Sequence, residues 1–283
     1  MFFSRLFSTV VLIAIFFCVF FLRFDYIGLI IFTVGGILLT LASVKEVTEI
    51  LLKIDIKSYF PLTAIFSLLI FLGIISKNIF INAPQIEIVL CGILAILAWF
   101  FILFSNKNKD VIHKLVGTLS IILLFAIPLN FITIIYTTGY GVTFSGVNLV
   151  LFLVLVTKCG DIGAYCTGTL CSKRASGNHK IVPNISPKKS WEGTIGGAIF
   201  SVIIAVLLAW FLGYNLFLFG VFGFILFIFG FCGDLSESVL KRVSGVKDSG
   251  SVIPGIGGTL DLVDSLVINA PLFYILLKIF NIL

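Results

Sequence analysis

From Val10 to Leu22 every side chain is apolar, and runs of this kind recur along the whole chain. Their length limits what the chain can fold into. About 20 such residues in a helix cross the roughly 30 Å hydrocarbon layer of a bilayer. Inside that layer the backbone must satisfy its own hydrogen bonds, which leaves helices or a closed barrel. Barrel strands alternate apolar and polar residues over about 10 positions, and Leu12 to Leu22 shows no alternation. The expected architecture is therefore all-α, a polytopic integral membrane helical bundle. Composition agrees, with 60% hydrophobic and only 11% charged residues and a mean hydropathy of +1.22. A soluble domain carries about 25% charged residues, so too few polar groups are present to coat a globule in water.

The apolar runs predict about nine spans, near 7–24, 26–44, 60–76, 87–105, 115–136, 147–166, 194–212, 215–233 and 262–281, each boundary good to several residues. The sixth is the weakest, because it runs into Lys158 and Asp161. The first resembles a signal peptide, with Arg5 ahead of an apolar stretch, but no small-residue cleavage site follows and it reads as a retained span. With the N-terminus inside, all 19 Lys and Arg except Arg23, Lys77 and Lys278 fall on cytoplasmic segments. The positive-inside rule selects that orientation and places the C-terminus outside. The bias also accounts for the net charge of +6, so no nucleic-acid partner is called for. The six cysteines lack CxxC spacing and read as free thiols rather than disulfides or metal ligands.

Acidic residues follow a different pattern. Of 13, seven lie between residues 161 and 264, at the cytoplasmic ends of the later spans: Asp161, Glu192, Asp234, Glu237, Asp248, Asp261 and Asp264. The chain is thus expected to divide into membrane-anchoring spans over 1–146 and functional spans and loops over 147–283, as one continuous membrane domain.

Three segments carry chemistry. In Lys158-Cys-Gly-Asp161-Ile-Gly-Ala-Tyr165 a carboxylate sits near the end of an apolar run, where it is costly unless paired, solvated or cation-bound. The second, Ser186-Pro-Lys188-Lys189-Ser-Trp191-Glu192-Gly193, sets two lysines beside the start of a helix, where backbone N–H groups and positive charge suit a phosphate. The third runs from Gly233-Asp234 through Ser238, Lys241, Arg242, Lys247-Asp248 and Gly257-Gly258 to Asp261-Leu-Val-Asp264. Asp261 and Asp264 share a helix face at i, i+3. Clustered carboxylates repel one another, and a hard divalent cation such as Mg²⁺ relieves that repulsion while binding substrate phosphates. The glycines admit close approach of a polyphosphate to the backbone.

The third segment, with Ser238-x-Leu-Lys-Arg, Lys247-Asp248-Ser-Gly and Ile-Pro-Gly-x-Gly-Gly-x-Leu-Asp261-x-x-Asp264-Ser, resembles the signature of phosphatidate cytidylyltransferases. Asp161-x-Gly-Ala-Tyr and Ser-Pro-Lys-Lys-Ser-Trp-Glu-Gly resemble that family's other motifs, in the same order over about residues 157–268. Ile256 and Leu262 depart from it, standing where His and Arg are common. The resemblance implies transfer of CMP from CTP to phosphatidic acid, giving CDP-diacylglycerol and pyrophosphate. It implies Mg²⁺, with room for a second cation, held by Asp234, Asp261 and Asp264. Lys247, Asp248, Asp264 and Ser238 become catalytic or orienting residues. Lys188, Lys189, Lys241, Arg242, Asp161, Gly257 and Gly258 become substrate-binding residues. The implied partners are CTP, phosphatidic acid and the lipid bilayer, with a homodimer admitted, in a multi-pass bacterial inner-membrane protein whose site faces the cytoplasm. A CTP-dependent lipid kinase and an ion-coupled transporter are the competing readings. The first would transfer the γ-phosphoryl group instead, and the second would show paired halves with broken helices, which this chain lacks.

Overall fold

The computed structural model describes residues 26–79, 109–138, 145–173, 177–250 and 257–283, and a few positions between 92 and 104. Among the described residues every regular element is helical and no strand forms. The helices are α1 (Tyr26–Leu52), α2 (Phe60–Ile79), α3 (Lys109–Ile121), α4 (Ile127–Thr137), α5 (Ser145–Ser172), α6 (Trp191–Leu212), α7 (Leu216–Val243) and α8 (Thr259–Ile279). Among the described residues, six stretches are long and apolar enough to cross a membrane: Ile27–Leu52, α3 running into α4, and each of α5 to α8. α2 contributes a shorter apolar stretch, Phe60–Ser76. The expected first span lies outside the described residues, and the fourth lies largely outside them.

The described chain groups into two compact units. One holds residues up to Val147 together with Val243–Val263; the other holds Asn148–Arg242 and Asp264–Leu283. The loop carrying Lys247, Asp248 and the signature glycines therefore groups with the front of the chain.

In the first unit, α3 passes into α4 through one π-helical stretch, Ile122–Ala126, where the Ile127 N–H donates to the Ile122 carbonyl. Pro128 follows at the start of α4. Proline lacks an N–H and clashes with the preceding turn, and a π-bulge absorbs that clash while leaving the flanking groups bonded. Phe66, Ile70, Ile74 and Ile122 form a buried apolar cluster. The Phe32 and Tyr136 rings stack at 3.7 Å between centroids.

In the second unit Phe152 is the hub of an aromatic core, meeting Phe219 edge-on at 4.9 Å and Phe273 at 5.4 Å. Such pairs contribute about 0.5–1.5 kcal/mol beyond area burial. Small residues carry the rest, as expected where lipid removes the hydrophobic drive between helices. A Cβ on Gly197 would lie 2.5 Å from the Phe227 ring, and one on Gly223 would lie 2.5 Å from the Ala205 Cβ. Buried polar contacts bridge the same helices: the Asn269 amide donates to Thr157 Oγ1 at 3.0 Å, and Ser201 Oγ donates to the Gly223 carbonyl at 2.9 Å. Large apolar side chains face outward elsewhere, among them Phe217, Trp210 and Phe211, as on a surface solvated by lipid.

Candidate active site

The site in the second unit is built where glycines of α7 pack closely against α8. A Cβ on Gly233 would stand 2.8 Å from the Asp264 carbonyl oxygen, and one on Gly230 would stand 2.8 Å from the Asn269 amide nitrogen. These two glycines, one turn apart, let the backbones approach. The next residue, Asp234, and its i+3 neighbour Glu237 then converge with Asp264, one oxygen of each lying within 4.8 Å of the others. Glu237 is buried, Asp264 nearly so, and Asp234 about one-third exposed.

Each carboxylate has a lysine. Lys189 Nζ lies 2.9 Å from Asp234 Oδ2 and 4.4 Å above the Phe231 ring centroid. Lys241 pairs with Glu237 across one turn of α7. On α5, Lys158 Nζ sits 3.5 Å from both Asp264 Oδ1 and Asp161 Oδ2. Asp264 Oδ1 also accepts from the Ser265 N–H at 2.6 Å. These pairings explain how α5 continues as helix past Lys158 and Asp161, the charges that made its span the weakest in the sequence. Opposite charges within a few ångströms offset much of the penalty of leaving water.

Lys189 is held in place by a clamped loop. The Lys180 and Ser190 backbones form an isolated bridge, and the Trp191 N–H donates to the His179 carbonyl at 2.9 Å. His179 Nδ1 meets Glu192 Oε1 at 2.6 Å, and the Asn178 amide donates to the Gly168 carbonyl at 2.7 Å. Ser190 caps α6 by accepting from the Gly193 N–H, the usual role of serine at that position. Arg242 Nε donates to the Ile185 carbonyl at 3.1 Å, tying α7 to the same loop.

The structure thus brings Asp161, Lys189, Asp234, Lys241 and Asp264 together, with Arg242 in the last turn of α7 bonded to the adjoining loop. Lys188 is exposed and Ser238 half-buried on α7. In the first unit Lys247 and Asp248 are exposed. Gly257 has φ 129°, a conformation that favours glycine. Asp261 occupies a set of its own: its Oδ2 accepts from Gly258 N–H at 2.8 Å, Ser249 Oγ at 2.9 Å and Ser249 N–H at 3.2 Å. Two carboxylates went unassigned in the sequence. Glu237 carries a readable signal, since Asp234 and Glu237 have the same i, i+3 spacing as Asp261 and Asp264. The other is Glu46 on α1, buried against Ser249 and the start of α8.

The cluster has four carboxylates, Asp161, Asp234, Glu237 and Asp264, and three lysines, Lys158, Lys189 and Lys241. Three hard oxygen donors within 4.8 Å suit a magnesium-sized cation, which favours carboxylate oxygen over nitrogen or sulfur. Three ammonium groups beside them suit phosphate. A sequence model of the cytidylyltransferase family matches residues 3–280, nearly the whole chain.

The chain belongs to the cytidylyltransferase family.

Individual relatives are similar over part of the chain. A phosphatidate cytidylyltransferase of Staphylococcus aureus (strain COL) is 32% identical, with 76% of this chain and 97% of the relative covered. One from Staphylococcus haemolyticus (strain JCSC1435) is 44% identical, covering 49% of this chain and 52% of the relative. The uncharacterized protein YnbB of Escherichia coli (strain K12) is 41% identical over 47% of this chain and 43% of its own length. Against these last two, the chain spans about half the length of the curated relatives it matches.

Proposed function

We propose that this cytidylyltransferase joins CTP to phosphatidic acid, releasing pyrophosphate and leaving CDP-diacylglycerol in the membrane. The observation that carries the reading is the convergence of Asp234, Glu237 and Asp264 with Lys158, Lys189 and Lys241. A phosphate oxygen of phosphatidate attacks the α-phosphorus of CTP, a P–O bond forms, and the bond to the β-phosphate breaks. That nucleophile is already anionic, so the site needs no strong general base. What opposes the reaction is repulsion between two anions.

The residues present fit a divalent cation. Asp234, Glu237 and Asp264 would hold Mg²⁺, which when bound would neutralise phosphate charge. The roles implied by resemblance for Asp261 as a further ligand, and for Lys188, Arg242, Lys247, Asp248 and Ser238 at the substrates, belong to the same proposal. Lys158, Lys189 and Lys241 are compact point charges with three donors each. They pair with the carboxylates, and with phosphates present their donors can turn to phosphate oxygens. Preorganised charge of this kind is the largest contribution to many phosphoryl-group transfers. The proposal includes nine spans, a cytoplasmic site and lateral entry of the lipid from the inner leaflet, supported by the distribution of Lys and Arg.

Membranes containing the protein are supplied with phosphatidate, Mg²⁺ and CTP labelled at either the α- or the γ-phosphorus. Label from α-³²P-CTP is expected in the lipid extract and label from γ-³²P-CTP in pyrophosphate. Label from γ-³²P-CTP in the lipid would instead identify a lipid kinase.

A further inference from the structure

We propose that Glu46, in the front half of the chain, is a positioning residue for the reaction: it shapes the first turn of α8 and, through Ser249, sets the Asp261 carboxylate. The inference rests on the activity proposed above, with Asp261 serving the metal.

α8 begins without a side chain at its cap. The residue before its first turn is Gly258, which has nothing to offer the N–H groups that every helix start leaves unbonded. Glu46 supplies what is missing from 213 residues away: Oε1 accepts the Thr259 N–H and Oε2 the Leu260 N–H, both at 2.8 Å. The third N–H, that of Asp261, donates to Ser249 Oγ at 3.3 Å. Asp261 in turn reaches back to the Gly258 N–H. This is the reciprocal arrangement of a capping box, with the cap's side chain replaced by Glu46 and Ser249.

The glycines of the signature make room for it. A Cβ on Gly258 would collide with Ser249 Oγ and Glu46 Oε2, and one on Gly250 would lie 2.6 Å from Glu46 Oε1. Glu46 and its serine are both buried, so the arrangement is not a chance surface contact.

Ser249 Oγ lies between two acids, 3.1 Å from Glu46 Oε2 and 2.9 Å from Asp261 Oδ2. A hydroxyl has a single proton to give. The two carboxylates therefore share one donor, and the orientation of Asp261 depends on Glu46 as well as on its own helix.

Outer partners that orient a metal-binding carboxylate typically change metal affinity or activity by about 10- to 100-fold when removed. The test uses Mn²⁺ as the probe: its binding to the full chain in detergent is titrated by electron paramagnetic resonance for wild type, Glu46→Gln, Ser249→Ala and the double variant. Metal-free melting temperature and α-label transfer are measured alongside. Each single variant is expected to weaken Mn²⁺ about 10-fold, and the double variant to weaken it by clearly less than the product of the two single losses, because Glu46 reaches Asp261 in part through the Ser249 hydroxyl. Ser249→Ala leaves the Thr259 and Leu260 bonds to Glu46 in place and so tests the coupling even if Glu46→Gln fails to fold. Wild-type Mn²⁺ affinity in Ser249→Ala, or independent additive losses, would overturn the proposal. So would a lowered melting temperature with unchanged affinity, the signature of a purely structural role. If wild type itself neither binds Mn²⁺ nor incorporates α-label, the proposed activity falls and this inference falls with it. Active wild type with normal variants removes only the role of Glu46.

Discussion

Asp234 answers to two demands, holding Lys189 at 2.9 Å and facing Glu237 and Asp264 in the carboxylate cluster. Asp234→Asn keeps the shape and removes the charge. An amide oxygen binds Mg²⁺ more weakly, and its N–H₂ would face the Lys189 ammonium, so turnover should fall about 10²- to 10³-fold. Melting should change little, because the residue is one-third exposed. Lys53→Gln, exposed at the end of α1, should stay within about twofold of wild type and serves as the control. Initial rates of α-label incorporation at saturating Mg²⁺ check both, and retention of more than a tenth of the wild-type rate by Asp234→Asn would remove it from the metal site. Much of this neighbourhood was readable in the sequence, because Asp161, Asp234, Lys189 and Asp264 stand out as charges in apolar surroundings. For Glu237 the only signal in the sequence is its i, i+3 spacing from Asp234. Glu46 gave no such signal: an acid near a span end beside Lys45 and Glu49 looks like an ordinary flank until the fold brings Ser249, Thr259 and Leu260 to it.

At the scale of helices, the α7–α8 approach at Gly233 decides whether the acids meet. Gly233→Ala would place a methyl group against the Asp264 carbonyl at 2.8 Å. The backbone must give way, and overpacking of this kind costs about 1–3 kcal/mol. We expect a lower melting temperature together with a higher Mg²⁺ requirement, since the carboxylates move apart with their helices. Gly35→Ala on α1, where an added Cβ has nothing within 4 Å, should melt like wild type and show unchanged Mg²⁺ dependence. A Gly233→Ala protein with the wild-type Mg²⁺ curve would mean that the spacing of these helices does not govern the site. Hydropathy located the starts of α5 to α8 within about three residues but ended α7 ten residues short of Val243, and it could not show that α5 stays helical to Ser172. There Lys158 pairs with Asp161 one turn on and with Asp264 on α8, and the second of these is a tertiary contact. Likewise the i, i+3 spacing of Asp261 and Asp264 correctly put them on one helix, but it could not reveal that Asp261 closes the first turn of α8.

For the molecule as a whole, the skewed distribution of Lys and Arg predicts that single cysteines introduced near residues 110, 180 and 248 react with a membrane-impermeant reagent only from the cytoplasmic side, and one at the C-terminus only from outside. Opposite labelling of positions 180 and 248 would separate the two loops that the proposed reaction needs on one face. The reach of Glu46 also has a consequence in time. Its carboxylate leaves the ribosome with α1, whereas Thr259 and Leu260, which satisfy it, follow 213 and 214 residues later. At about 5–20 residues per second, that acid waits some 10–40 s in a nascent chain before its permanent donors exist. Through that interval water, lipid headgroups, the insertion machinery or the neighbouring lysines must solvate it, so slow elongation should fall hardest on the assembly of this one turn.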